Sequence, residues 1–483
     1  MPLSLPVLIA AGATDLTPFL VLFAGIAFVV IAIGYLRIHP FISLVIAAVL
    51  VGSLSNLFAK TESNPITSAI GETMRQLGNT AGGIAWIIAL AAIIGLCLME
   101  SGAADRIVRC MIKVFGEERA GYAMLASAFF LSIPVFFDTV FYLIVPLAQA
   151  LAYRLGRHYV YFIVAVCTGA AITHSLVPPT PGPLLVVESL GLNLGHTIVG
   201  GITLGILPAI VGLRLGKALD AKLGIQLRDS GMLHTADLKE ITEKDLSELP
   251  GFLMAALPVA LPVLLIASSS FMGEFSSQES LGLIFTVIEV LGQKHVAMFI
   301  GALIAISLLA RYRKLDKRSL WKALESPLGT AGTIILITAA GGAFGGMIRQ
   351  SGIGETITEL TEGSGFSFIL LAWLVAAVMK VAQGSSTTSM ITTSGIMAGI
   401  LATLSATGAS LGFDPFYIFA AIAFGAMFGS WMNDSGFWIV CKMTGFTESE
   451  TLKTWTLSVS VISLTGLVQL LVLSHVVAYP FGR

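Results

Sequence analysis

The run Lys380-Val381-Ala382-Gln383-Gly384-Ser385-Ser386-Thr387-Thr388-Ser389 sets a charge, an amide and an unbroken series of hydroxyls between two strongly apolar segments. Hydrocarbon supplies no water to satisfy polar groups, so a helix broken at membrane depth persists only where it faces protein or a wet cavity. A polar break here points to a transport site.

Outward from that run, the composition is that of a membrane protein. Of 483 residues, 56% are hydrophobic, 11% are charged and 50 are glycine, with a mean hydropathy of +0.90. No soluble domain has this balance. Apolar stretches near the roughly 20 residues that span a bilayer recur at 16–35, 41–58, 198–215, 295–309 with flanks, and 457–473. The expected fold class is an all-α polytopic membrane protein with the lipid bilayer as its partner. The net charge of -1 says nothing about a nucleic-acid partner, but no basic run has the density or the aromatic interleaving of an RNA-binding face, and none is expected.

Lys and Arg gather at Arg37, 106–119, Arg154 with Arg157, 214–244 and 311–322, which the positive-inside rule assigns to the cytoplasm. The chain alternates sides consistently under one condition. Segments 121–134 and 139–152, flanking Asp138, must leave from and return to the cytoplasm, and the pair flanking Gln383 must do the same from outside. Each segment is about 14 to 16 residues long, short for a span, so re-entrant hairpins are the expectation and four short complete spans the alternative. Both termini then lie outside the cytoplasm. Residues 1–13 lack a basic leader and read as a tail or short helix rather than a cleaved signal peptide.

A short internal repeat divides the chain. Gly95-Leu-Cys-Leu-Met-Glu-Ser-Gly102 recurs as Gly345-Gly-Met-Ile-Arg-Gln-Ser-Gly352. After each copy come a hairpin candidate, with its tip at 136–139 or 383–387, and then a helix broken mid-membrane, at 174–183 or 429–436. Four prolines in the first break cannot continue a helix, because each removes an N–H and fixes φ. Residues 1–216 and 250–483 are therefore expected to be two inverted repeats joined by a cytoplasmic linker at 217–249. Each would hold about five transmembrane helices, one re-entrant hairpin and one broken helix, a layout typical of secondary transporters.

The tips favour an anion, since the second arm of each hairpin starts there and points free N–H groups and a positive dipole end inward. Candidate substrate contacts are Thr139, His174, Ser175, Gln383, Gly384, Ser385, Ser386, Thr387, Asn433 and Ser435. Helix capping is the plainer reading for any single hydroxyl. Asp138 and Asp434 read either as N-cap carboxylates or as carriers of a coupled proton or cation, because charge at membrane depth is costly. Lys380 could pair with either aspartate, meet a substrate carboxylate, or snorkel to an interface. His174 could bond a substrate hydroxyl, shuttle a proton or cap the broken helix. The glycines at 341–346 would let helices pack closely.

HSLVPPTPGP at 174–183, AGGAFGGMIRQSG at 340–352, VAQGS at 381–385, NDSGFW at 433–438 and TLKTW at 451–455 resemble the gluconate permease family, the gluconate:proton symporters. That resemblance implies proton-coupled uptake of gluconate or a related sugar acid across the bacterial inner membrane. It also implies an elevator mechanism within the ion transporter superfamily, with some relatives carrying D-serine or glycerate, and a possible homodimer.

No zinc-protease helix, nucleophile elbow or Walker loop is present, so an enzyme is not expected. Cys97, Cys110, Cys167 and Cys441 form neither a disulfide framework nor a ligand cluster. No cofactor is expected beyond the coupling ion, a proton with sodium as the alternative. The rivals are a cation/proton antiporter using Asp138 and Asp434, and a membrane sensor, for which the linker is too short to supply a signalling domain.

Overall fold

The computed structural model describes residues 17–59, 64–228, 248–275, 282–352, 367–407 and 411–481. The first 16 residues and most of the linker lie outside them.

Long apolar runs form long helices: α1 (Thr17–Val29), α2 (Pro40–Ala59) and α3 (Pro65–Glu100), then α4 (Ala103–Phe115). Asn64 accepts from the Thr67 N–H and Pro65 sits at the first position of α3, where no N–H is needed. The hairpin arms are α5 (Ala120–Leu131) and α6 (Phe137–Leu155). The broken helix is α7 (Tyr159–Leu176) with α8 (Pro181–Leu190), and α9 (Leu194–Leu223) closes the first half.

The second half runs through α10 (Phe252–Phe275), α11 (Leu283–Gly292), α12 (Lys294–Arg313), α13 (Lys317–Ala323) and α14 (Glu325–Arg349). Its hairpin is α15 (Phe368–Gln383) with α16 (Ser386–Thr407), and its broken helix is α17 (Phe416–Gly425) with α18 (Ser435–Thr444). The short α19 (Glu448–Thr451) and α20 (Leu457–Val476) follow. Eight helices among the described residues are long and apolar enough to cross a membrane.

Packing repeats between the halves. The first broken helix lays α7 on α5 and α9 while α8 reaches the second hairpin at α16; the second lays α17 on α15 and α20 while α18 reaches the first hairpin at α6. The helix after each break therefore packs on the other half's hairpin. Both copies of the Ser-Gly signature close a helix. Ser101 N–H donates to Cys97 O and Gln350 N–H to Gly346 O, and Gly102 and Gly352 take φ of +75° and +78°. Only glycine adopts that turn without strain.

Glycines of α14 meet neighbours on both sides. A Cβ on Gly345 would lie 2.9 Å from the Gly395 Cα of α16, and one on Gly342 would lie 2.4 Å from the Thr80 hydroxyl of α3. Side-chain-free contact is what lets three helices share this seam.

Several boundaries differ from expectation. The first break is narrower, residues 177–180, because Pro181 and Pro183 occupy the opening turn of α8, where a missing N–H costs nothing; His174 and Ser175 belong to the last turn of α7. The second break spans 426–434, and Ser435 and Gly436 already belong to α18. The inner arms are also longer than expected: α6 has 19 residues and α16 has 22, because helix continues through their polar last turns. Residues 217–223, expected in the linker, continue α9.

Candidate functional site

Both hairpin tips, the end of α7 before the first break, and the second break converge on a cavity of about 370 Å³, within the usual range for small-molecule sites. Its lining includes His174, Ser175, Gln383, Gly384, Ser385, Ser386, Thr387, Asn433, Ser435, Asp138, Asp434 and Lys380. Of the site residues expected from sequence, Thr139 alone is not on this surface. It lies one residue beyond Asp138 along α6, with its methyl group beside Gly95 of α3.

The second tip is built by a reversal at Gly384. Its N–H donates to Lys380 O at 2.8 Å and its φ is +78°, and a Cβ there would fall 2.2 Å from the Asn433 carbonyl oxygen. No other residue type fits. The last carbonyls of α15 would be orphaned by this turn. They are taken up by the second break: Asn433 Nδ2 donates to Val381 O at 2.8 Å and to Ala382 O at 3.3 Å, and Trp431 Nε1 donates to Val381 O at 3.0 Å. The Asn433 amide nitrogen is thus committed to structure.

Lys380 is 1% exposed and points under the tip. Its Nζ donates to Gly384 O at 2.6 Å and to Asp434 Oδ2 at 2.5 Å. Ser430 also donates to Asp434 Oδ2, and Trp455 Nε1 donates to the Ser430 hydroxyl at 2.7 Å. Asp434 Oδ1 accepts from the Gly436 N–H at 3.0 Å, capping α18. Asp434 is therefore both an N-cap and the buried partner of Lys380. Asp138, across the cavity in the first turn of α6, has no hydrogen bond or ion pair among the described residues.

The hydroxyl run divides in two. Ser385 accepts from the Thr388 N–H at 3.2 Å and from its hydroxyl at 2.9 Å, and Ser389 donates to Ala376 O at 2.6 Å, so these groups hold the turn. Ser386 and Thr387 face the cavity at the open N-terminus of α16 with no hydroxyl partner among the described residues. Three more buried groups lining the cavity lack partners there: both amide atoms of Gln383, the Nδ1 of His174, and the hydroxyl of Thr338 on α14. Buried polar groups are rarely left unsatisfied, so these are the groups a polar ligand in the cavity would engage. The arrangement offers donors, one ammonium and two carboxylates to a small polar ligand.

Sequence reasoning missed Thr338, Ser430 and Trp455. Ser430 lay within the quoted break, and Trp455 within the TLKTW run. Thr338 gave no signal, since a single threonine in an apolar helix ordinarily bonds its own backbone.

The profile described as GntP family permease matches residues 17–476. A gluconate permease of Pseudomonas aeruginosa is 32% identical over 449 residues, 92% of this chain and 95% of that protein. The Gnt-II system L-idonate transporter of Escherichia coli is 29% identical over 460 residues, 95% of this chain and 99% of that protein. Among solved structures, the YdaH transporter of Alcanivorax borkumensis shares the fold, with a TM-score of 0.65 at 13% identity, covering 92% of this chain and all of that one.

Proposed function

The chain belongs to the GntP permease family and is a multi-pass membrane transporter, and we propose that it imports gluconate or a closely related sugar acid together with a proton. One observation carries this reading. A cavity joining two hairpin tips, the end of α7 and the second break presents Gln383, Ser386, Thr387 and Thr338 groups, without side-chain partners among the described residues, around a buried ammonium. Hydroxyl donors suit the polyol of a sugar acid, and Lys380 with the α16 N-terminus suits its carboxylate.

The coupled proton would reside on Asp138 or Asp434, the two carboxylates that line the cavity. The reciprocal packing of the helix after each break, α8 on α16 and α18 on α6, supports two inverted repeats. The glycine seam between α14 and α16 supports movement of one bundle against another, as an elevator requires. We assign the bacterial cytoplasmic membrane, with both termini outside the cytoplasm.

Uptake of labelled gluconate into proteoliposomes under an inward pH gradient tests the proposal. Accumulation that an uncoupler abolishes is the expected result. Failure of gluconate to accumulate or to compete would remove the substrate assignment, and downhill uptake indifferent to the uncoupler would remove the coupling. A panel of L-idonate, glycerate and D-serine then ranks the substrates.

A further inference from the structure

The four titratable side chains lining the cavity are Asp138 on α6, His174 on α7, Lys380 on α15 and Asp434 at the start of α18. Only two of them touch. Lys380 is buried to 1% exposure, so its ammonium needs a counter-charge, and Asp434 supplies it at 2.5 Å. A substrate carboxylate reaching the same ammonium would crowd two negative charges onto one cation. Protonating Asp434 in an empty site would leave Lys380 with no negative partner. Two states avoid both penalties: Asp434 ionised with the site empty, and Asp434 protonated with the carboxylate bound.

Resting on the sugar-acid reading above, we propose that the substrate carboxylate and Asp434 exchange as the partner of Lys380. The substrate pairs with the ammonium while Asp434 takes the coupled proton. The proton comes from solvent and adds at Oδ2; the Lys380–Asp434 hydrogen bond breaks and a Lys380–substrate hydrogen bond forms.

Neighbouring groups accommodate this exchange. Lys380 keeps its bond to Gly384 O, and Asp434 Oδ1 keeps the Gly436 N–H, so both the tip and the α18 cap survive. Ser430 accepts from Trp455 and holds a second lone pair, so it can accept the new Asp434 O–H and turn its own hydrogen into the cavity. Asp138 and His174 touch neither partner, and their charges need not change.

A stoichiometry follows. The Lys380–Asp434 pair sums to zero charge when empty, and Lys380, protonated Asp434 and a monoanion sum to zero when loaded. One proton accompanies one carboxylate, and a full cycle moves no net charge. Uptake then responds to a pH gradient and not to a membrane potential.

Titration calorimetry of the purified full-length protein with gluconate, run in buffers of different ionisation heat, counts the protons taken up on binding. About one proton per gluconate bound is expected at pH 8 for the wild type, with affinity falling about tenfold per pH unit on the alkaline side, and Asp138→Asn, whatever its affinity, should keep that count per gluconate bound. Asp434→Asn should take up none, and its affinity should stay within about twofold between pH 6 and 8, because linkage to a proton is then gone. Proton uptake retained in Asp434→Asn, or lost in Asp138→Asn, overturns the exchange. So does gluconate binding to the wild type without proton uptake, or uptake into proteoliposomes that rises severalfold with a potassium diffusion potential. Should Asp434→Asn fail to fold, the wild-type and Asp138→Asn counts decide. No gluconate binding to the wild type at all defeats the substrate reading itself, and this inference with it.

Discussion

The two helix breaks are held in opposite ways, and only the second lines the cavity, which the first broken helix reaches through the last turns of α7. In the first, Thr180 shares its hydroxyl between His174 O and Val177 O, both at 3.0 Å, and among the described residues no hydrogen bond links residues 177–180 to either hairpin. The second is bonded outward. Trp431 and Asn433 cap α15, Asp434 holds Lys380, Ser430 receives Trp455, and the Gly429 N–H donates to Ser460 of α20 at 3.2 Å. The first break thus forms a self-contained wall, while the second is one polar unit with the tip that contacts it. On the function proposed above, recognition and coupling would be concentrated in the second half, although each half carries a hairpin followed by a broken helix.

This asymmetry is broken most directly at Lys380. Lys380→Met should strand the buried Asp434 charge, at a cost of about 3–5 kcal/mol in stability, and reduce gluconate uptake on the order of 100-fold. Thermal unfolding in detergent and proteoliposome uptake measure the two effects. Near-normal transport in this variant would place recognition outside the second-half unit.

Much of that unit stands out in the sequence. Lys380, Gln383 and the serines after it are conspicuous because polar groups are rare in apolar runs, and four closely spaced prolines announce an interruption. What the sequence leaves open is which aspartate Lys380 meets. The answer depends on α17 and α18 folding back to bring Asp434 beside a residue 54 positions earlier, and no local pattern encodes that. Local pattern also misplaces the start of α8, since a proline reads as a helix breaker until its place in the first turn is known. Thr338 escapes for a different reason: its role comes from α14 crossing the cavity, not from anything in its neighbours along the chain.

Gly384 sharpens the comparison by backbone alone. Gly384→Ala must hold φ near +78° and force a methyl group onto Asn433 O, a combined cost of about 2–4 kcal/mol that separates the tip from the second break. Gly191, after α8, has φ of +66° but open space around it, so Gly191→Ala should cost only about 1 kcal/mol. Parallel unfolding curves check the difference, and equal losses would show that the clash relaxes freely.

Within the second tip, neighbouring serines should part in their effects. Ser386→Ala removes a cavity-facing hydroxyl and is expected to weaken gluconate binding severalfold, about 1 kcal/mol, with stability unchanged. Ser385→Ala removes the oxygen that accepts from Thr388 and should instead lower stability by about 1 kcal/mol. Calorimetric affinity beside thermal unfolding distinguishes the two, and the reverse pattern would exchange their roles.

The smallest effect is expected in the first break. Thr180→Val preserves shape but deletes the hydroxyl shared by His174 O and Val177 O, which should lower stability by about 0.5–1.5 kcal/mol. Thr180 does not line the cavity, so the KM for gluconate should hold within about twofold, the small binding difference expected of a residue with no ligand contact. A collapse of uptake comparable to that of Lys380→Met would mean that the first break governs the geometry of the site as strongly as the second. The division between a self-contained wall and a polar unit would then describe hydrogen bonding alone, and not where transport is controlled.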